Sequence, residues 1–182
     1  MRSTAELVAF IEGQPALMRL LRLLEDIGLP DSWIGGGFIR NAVWDFLHGS
    51  RTSAGCDDID VIYFDSSNAL PERDERIEAS LCRLCTGAPW SVKNQARMHK
   101  RNGDLPYCGS ADAVWHWPET SSAVAVRSLG GRAELIAPYG TDDLINGVVR
   151  PTQAVQARMA IYHRRIRTKD WASRWSNLTI LV

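Results

Sequence analysis

The sequence predicts an α/β (α+β) fold: a small mixed β-sheet with helices packed on it. Residues 33–65 read as strand, glycine turn, helix, loop and second strand. Alternating, β-rich stretches at 58–64, 90–99, 122–127 and 133–137 are separated by stretches with apolar residues at helical spacing. A chain of 182 residues, 45% hydrophobic and 23% charged, is long enough to bury one sizeable core. The expectation is a single domain over 1–182, with helices in 1–29, a core in 33–150, and a basic helix and tail in 151–182.

Ser3 or Thr4 caps a first helix, with Glu6 as capping-box partner. Pro15 opens a second through Leu17, Leu20, Leu21 and Leu24, ended by Gly28 and Pro30. This pair covers one face of the sheet. Trp33-Ile34 is a short strand that stops at Gly35-Gly36-Gly37, where the chain can turn tightly. Phe38, Ile39, Ala42, Val43, Phe46 and Leu47 then recur at helical spacing. After a polar loop, Asp58 to Phe64 alternates as a strand. Pro71 opens a helix to about Cys85, with Ile77, Leu81 and Leu84 as its apolar stripe. Trp90 to His99 reads as a third strand, with Val92, Asn94, Ala96 and Met98 on one side and Lys93, Arg97 and His99 on the other. Ser110 starts a short helix, Ser122 to Arg127 and Ala133 to Ala137 form a hairpin across Gly130-Gly131, and Asp142-Asp143 caps a further short helix. The last helix runs from about Thr152 to Arg167.

Asp58 and Asp60 share one face of their strand, because side chains alternate. Two adjacent carboxylates repel, and a hard divalent cation is the usual reason to keep them together. Asp57 is a loop or capping group beside them. The competing reading is a turn-forming acidic cluster at a strand start. A glycine turn feeding a helix N-terminus beside that pair suits a metal-bound triphosphate, with backbone N–H groups of Gly36 and Gly37 on the phosphates. Arg40 either adds charge-assisted hydrogen bonds to phosphate or pairs with Asp45, Asp57 or Asp58.

At these residues the chain resembles the DNA polymerase beta-like nucleotidyltransferase superfamily, whose signature is a strand ending in Gly-Gly or Gly-Ser, a short helix, then Asp-x-Asp. Gly36-Gly37-Phe38-Ile39-Arg40-Asn41 is similar to the opening of CCA-adding enzymes and bacterial poly(A) polymerases, with Asn41 where those polymerases carry Asp. The segments GGFIRNAVWDFLHG, DDIDVIYFD, VKNQARMH, WPETSSAVAVR, IAPYGTDDL and VVRPT resemble a family of small bacterial nucleotidyltransferase-like proteins. The resemblance implies a nucleotidyltransferase fold and Mg²⁺-dependent transfer of an NMP from an NTP to an acceptor, releasing pyrophosphate. Asp58 and Asp60 would be the metal ligands and catalytic carboxylates, in a two-metal site for Mg²⁺ or Mn²⁺; Gly36, Gly37 and Arg40 would hold the triphosphate. The superfamily often has a third carboxylate on the third strand, where this chain has none. Asn94 or Gln95, or later Glu134 or Glu119, is the candidate for that place, or the site works with two carboxylates, as the CCA-adding enzymes it resembles do. The alternative is a non-catalytic nucleotide- or RNA-binding module that retains the fold.

Net charge is zero, so no global field points to nucleic acid or membrane. Yet residues 151–182 carry Arg158, Arg164, Arg165, Arg167, Lys169 and Arg174 against Asp170 alone, a local surplus of five positive charges. That basic helix is either a solvated face or a guide for RNA. The acceptor (small molecule, protein side chain or RNA end) is open. Neither a signal peptide nor a span long enough to cross a bilayer is apparent, so the expectation is a cytoplasmic protein with free cysteines. Cys82-x-x-Cys85 lacks a second ligand pair and reads as core rather than zinc.

Overall fold

The computed structural model describes residues 1–50 and 58–182, and the expectations for Asp57 and Cys56 lie outside them. Two helices, α1 (Thr4–Glu12) and α2 (Pro15–Ile27), lead into strand β1 (Trp33–Gly35). Ser3 accepts from the Glu6 backbone N–H, as the cap requires, and Gly28 ends α2 in the left-handed region at φ 69°. Helix α3 (Gly37–Leu47), strand β2 (Ile59–Tyr63), helix α4 (Pro71–Leu84) and strand β3 (Trp90–Asn94) follow. β2 and β3 are parallel, and α4 supplies the crossover that a parallel pair needs.

The third strand is half the expected length. β3 stops at Asn94, and Gln95–Asn102 forms helix α5. Asn94 switches the backbone, because its side-chain oxygen accepts from the Ala96 N–H and caps α5. The alternation at 90–99 was compatible with either state, so Ala96, Met98 and Arg97 belong to a helix.

Helix α6 (Ser110–Trp115) precedes the hairpin of β4 (Ala125–Leu129) and β5 (Arg132–Ile136). Gly130 and Gly131 both have positive φ, as a tight two-residue turn demands. Helix α7 (Asp142–Ile145) and β6 (Val148–Val149) lead through a 3₁₀ turn (Gln153–Arg158) to α8 (Met159–Lys169), α9 (Trp171–Arg174) and β7 (Thr179–Ile180). The single helix expected over 152–167 is thus two elements, and the helical part runs on to Lys169.

The main sheet has the order β3-β2-β1-β4-β5, mixed as expected, and β6 pairs with β7 separately. Ile34, Val61, Val92 and Val126 face the larger core, with Leu21 and Leu24 of α2, Ile39 and Trp44 of α3, and Leu81 of α4. The opposite face is smaller: Trp33, Ile62, Ala125 and Ile136 lie there with Val114, Trp117 and Tyr139. Asp60 shares this second face with Ile62 by strand alternation, and Lys93 lies level with Ile62 in the β2–β3 register. The Asp pair therefore sits at the start of a central strand, on the lightly covered side.

Candidate active site

Strand β1 ends where Gly36 adopts φ 34° and donates its N–H to the Val124 carbonyl at 2.9 Å. That conformation starts α3 with Gly37 in its first turn. The glycines also make room for a side chain. A Cβ on Gly35 would lie 2.3 Å from Trp117 Cη2, and one on Gly36 would lie 3.2 Å from the Ser122 carbonyl oxygen. A Cβ on Gly37 would meet only Arg40 Nη2, at 3.6 Å. Gly35 and Gly36 are therefore required by packing, and Gly37 leaves the helix N-terminus open.

Arg40 is buried. Its Nη1 donates to Ser122 Oγ at 2.7 Å and its Nη2 to Asn41 Oδ1 at 2.9 Å. The guanidinium lies over the rings of Trp44 and Trp171, 5.2 and 4.7 Å from their centroids. Asp45 binds the C-terminal segment: Trp175 Nε1 donates to it at 2.9 Å and Arg174 Nη2 at 3.3 Å.

That segment reaches the site through a sharp bend. Asp170 takes φ 42°, ending α8 and turning Trp171 inward. Trp171 and Trp175 then pack edge-on against Trp44, with centroids 5.8 and 5.1 Å away. Upstream, Arg165 donates to both oxygens of Glu119, which is fully buried. Lys169 lies one turn beyond Arg165 on the same helix face. The result is a pocket of about 110 Å³ lined by Gly37, Arg40, Asp58, Lys169 and Arg174, with Trp171 and Trp175 behind them. Three cations and a helix N-terminus thus converge beside one carboxylate, an arrangement that suits polyphosphate.

Asp58 is exposed and Asp60 half-buried. Burial pushes the Asp60 carboxyl up from its ordinary value, and the neighbouring Asp58 charge pushes it further; Lys169, Arg165 and Lys93 partly offset both. Two neighbouring carboxylates are chemically suited to a hard cation. Among the described residues, no group of three or more His, Cys, Asp or Glu side chains is placed to hold a metal.

The structure brings Gly36, Gly37, Arg40, Asp58 and Asp60 to one corner and leaves the other candidates elsewhere. Asn94 lies level with Tyr63, at the far end of β2 from Asp60. It is fully buried; its side chain accepts from the Asp65 and Ala96 N–H groups and donates to the Asp65 and Asn68 carbonyls. Those bonds give it a structural task. Glu134 pairs with Arg127 on the edge hairpin, with β1 and β4 between it and β2. Glu119 is taken by Arg165. Cys82 is exposed rather than in the core, and Cys82, Cys85 and Cys108 are free thiols. A larger surface depression, about 610 Å³, lies around Ser67 and Arg76 at the other end of β2. Its Asp65 is held near a pKa of about 2 by hydrogen bonds from Ser67 and Arg73, so its charges are satisfied internally. Sequence reasoning counted Lys169 and Arg174 in the basic tail without placing them at this pocket and gave Trp117 no role, because their places depend on contacts with residues far away in the chain.

A glycine turn, a helix N-terminus and an aspartate pair at the start of the adjacent strand stand together here, as the resemblance to nucleotidyltransferases leads one to expect. The chain belongs to the nucleotidyltransferase family, whose model matches residues 22–180. It is similar over its whole length to a protein described as revealing a CCA-adding enzyme head domain by NMR, with 32% identity, a TM-score of 0.88 and 97% of that chain covered. The Thermotoga maritima CCA-adding enzyme complexed with tRNA shares the fold at 18% identity and a TM-score of 0.59, with 43% of its length covered. A CCA-adding enzyme in complex with ATP does so at 20% identity and 0.56, with 42% of its length covered. No curated protein matches. No helix among the described residues is long and apolar enough to cross a membrane.

Proposed function

We propose that the protein transfers a nucleoside monophosphate from an NTP to a hydroxyl-bearing acceptor, with Mg²⁺, or Mn²⁺ in its place, held by Asp58 and Asp60. The observation that carries this reading is the cation-lined pocket that opens directly onto Asp58. Gly37 presents the N-terminus of α3, while Arg40, Lys169 and Arg174 offer charge-assisted hydrogen bonds to the β- and γ-phosphates. Asp60 on β2 and Asp58 just before that strand, the former reluctant to ionise beside the latter, fit a hard cation. Such a cation, when bound, would neutralise the phosphates and stabilise the attacking and leaving oxygens. Arg40 is fixed in direction by Ser122, Asn41 and the two indoles, so it positions the donor without reorganising. The acceptor oxygen bonds to the α-phosphorus, the bond to the β-bridging oxygen breaks, pyrophosphate leaves, and the hydroxyl proton passes to water. That relatives are described in complexes with ATP and CTP supports an NTP donor. We place the activity in the cytoplasm, which suits the free thiols.

The test is to incubate the protein with α-labelled NTPs, Mg²⁺ and a cell extract. Label should pass to an acceptor and disappear with Asp58→Ala plus Asp60→Ala. The rival reading, a binding module without turnover, is favoured by the capping role of Asn94 and the pairing of Glu119 and Glu134. NTP binding with no transfer to any acceptor would establish it.

A further inference from the structure

The aspartate pair has a second pocket, on the side away from α3. It holds about 200 Å³ and is lined by Asp60, Lys93, Gln95, Met98, Asn102 and Trp117. We propose that this pocket is the acceptor subsite, and that the acceptor is a small molecule carrying a flat ring, a hydroxyl and an anionic group. The proposal rests on the nucleotidyl-transfer reading above.

Geometry comes first. In phosphoryl transfer the attacking and leaving oxygens lie roughly in line across the phosphorus. If the pyrophosphate leaves into the cationic pocket, the acceptor hydroxyl enters from the opposite side. The two pockets meet the pair at different carboxylates: Asp58 lines the cationic one and Asp60 the second. The acceptor oxygen then bonds to the α-phosphorus, the α–β bridging bond breaks, pyrophosphate leaves through the first pocket, and the hydroxyl proton goes to solvent.

The lining sets the chemistry of the occupant. The Trp117 ring is seated against Gly35 and Gly36, so tightly that a Cβ on Gly35 would stand 2.3 Å from it. A fixed, half-buried indole is a stacking wall for another ring. Met98, from α5, supplies an adaptable apolar side. Lys93 stands on the same sheet face as Asp60; its ammonium donates to the Val92 carbonyl at 2.9 Å and, among the described residues, ion-pairs with no carboxylate. It can therefore meet an anionic substituent. Gln95 and Asn102 line the pocket as well, the Gln95 amide donating to the Lys93 carbonyl at 3.0 Å and the Asn102 amide to the Tyr107 hydroxyl at 2.9 Å.

Size and charge argue for a small molecule over a polymer. The pocket is smaller than the roughly 300–1,000 Å³ typical of drug-sized ligands. The basic tail that could have tracked a strand is largely engaged: Arg158 with Asp104, Arg165 with Glu119, and Arg174 with Asp45, while Lys169 lines the phosphate pocket.

The experiment uses the full chain, Mg²⁺, a non-hydrolysable ATP analogue, and three ring-bearing probes, AMP, CMP and 4-hydroxyphenylacetate, beside a single-stranded RNA 12-mer. Saturation-transfer NMR reads probe binding, titration calorimetry reads the analogue, and α-labelled ATP reads transfer. The expected result is that at least one small probe binds and is labelled. Lys93→Gln should weaken that probe at least tenfold while shifting analogue affinity less than twofold. Labelling of the RNA alone overturns the proposal, as does failure of all three probes to bind. Equal weakening of probe and analogue by Lys93→Gln also overturns it, since the pocket would then belong to the donor. Failure of the analogue to bind the unaltered protein would overturn the nucleotidyl-transfer reading itself, and the acceptor proposal with it.

Discussion

Replacing Gly35 by alanine tests whether the glycine turn is shaped by phosphate or by the indole behind it. The added Cβ would lie 2.3 Å from Trp117 Cη2 and 3.1 Å from Cζ3, in a buried strand with no left-handed backbone to strain. Ordinary contact begins near 3.4 Å, so the ring must withdraw by about 1.1 Å, the difference between the two distances. Overpacking of this kind costs about 1–3 kcal/mol. Removing glycine from a strand returns about 0.5–1 kcal/mol, which is too little to reverse the sign. For a chain of this length each kcal/mol moves Tm by about 2–4 °C, so Gly35→Ala should lower Tm by several degrees. Gly37→Ala should leave it level or slightly higher, because its Cβ meets only Arg40 Nη2 at 3.6 Å. Urea denaturation of Gly35→Ala, Trp117→Ala and the double variant completes a thermodynamic cycle. The alanine at 35 should cost little once Trp117 is gone, giving a coupling of at least about 1 kcal/mol. An identical cost in both backgrounds would refute the packing argument.

Asp60→Asn should abolish transfer yet raise Tm at neutral pH. Burial and Asp58 raise the folded-state pKa of Asp60, so its ionised form opposes folding; the gain should be full above that raised value, fade as pH falls from it toward the unfolded value near 3.9, and be gone below the unfolded value. A Tm that falls at pH 7 would contradict this. Lys169→Met should weaken ATP-analogue binding about 10–100-fold, the loss of one charge-assisted hydrogen bond, whereas Arg167→Met, equally exposed but not lining the pocket, should change it less than twofold by calorimetry. Asn94→Ala should cost about 2–3 kcal/mol in urea denaturation while transfer per folded molecule is unchanged, because the cap and the bonds to Asp65 and Asn68 are structural.

Local signals carried the elements they govern. The Ser3 cap, Pro15 and Pro71 at helix starts, Gly28 at a helix end and the Gly130-Gly131 turn all act within a few residues, and each appears where its chemistry puts it. Asp60 falls on β2 where alternation put it, and Asp58 precedes that strand, near enough for its charge to act on the Asp60 carboxyl. Asn94 misled because an alternating run and a capped helix look alike over ten residues, and only the bonds from Asp65 and Ala96 decide between them. Lys169 and Trp117 were not legible as site residues. Their positions follow from the buried Glu119–Arg165 pair, the left-handed turn at Asp170 and the empty space above Gly35. A charge count finds the basic tail but not the fold-back that aims it.

That fold-back gives the proposed donor pocket a seam. One wall is made by residues 37–40 and 58, the other by residues 169–175. Closing a loop of this length is entropically costly, so the pocket should be among the last parts of the molecule to assemble during folding. A bound nucleotide would bridge the seam and favour the docked arrangement over any in which the tail has come away. Occupancy of that pocket should then slow hydrogen exchange at the Trp175 amide, which donates to the Trp171 carbonyl at 2.8 Å. Nucleotide binding there and docking of residues 169–175 should therefore be thermodynamically linked.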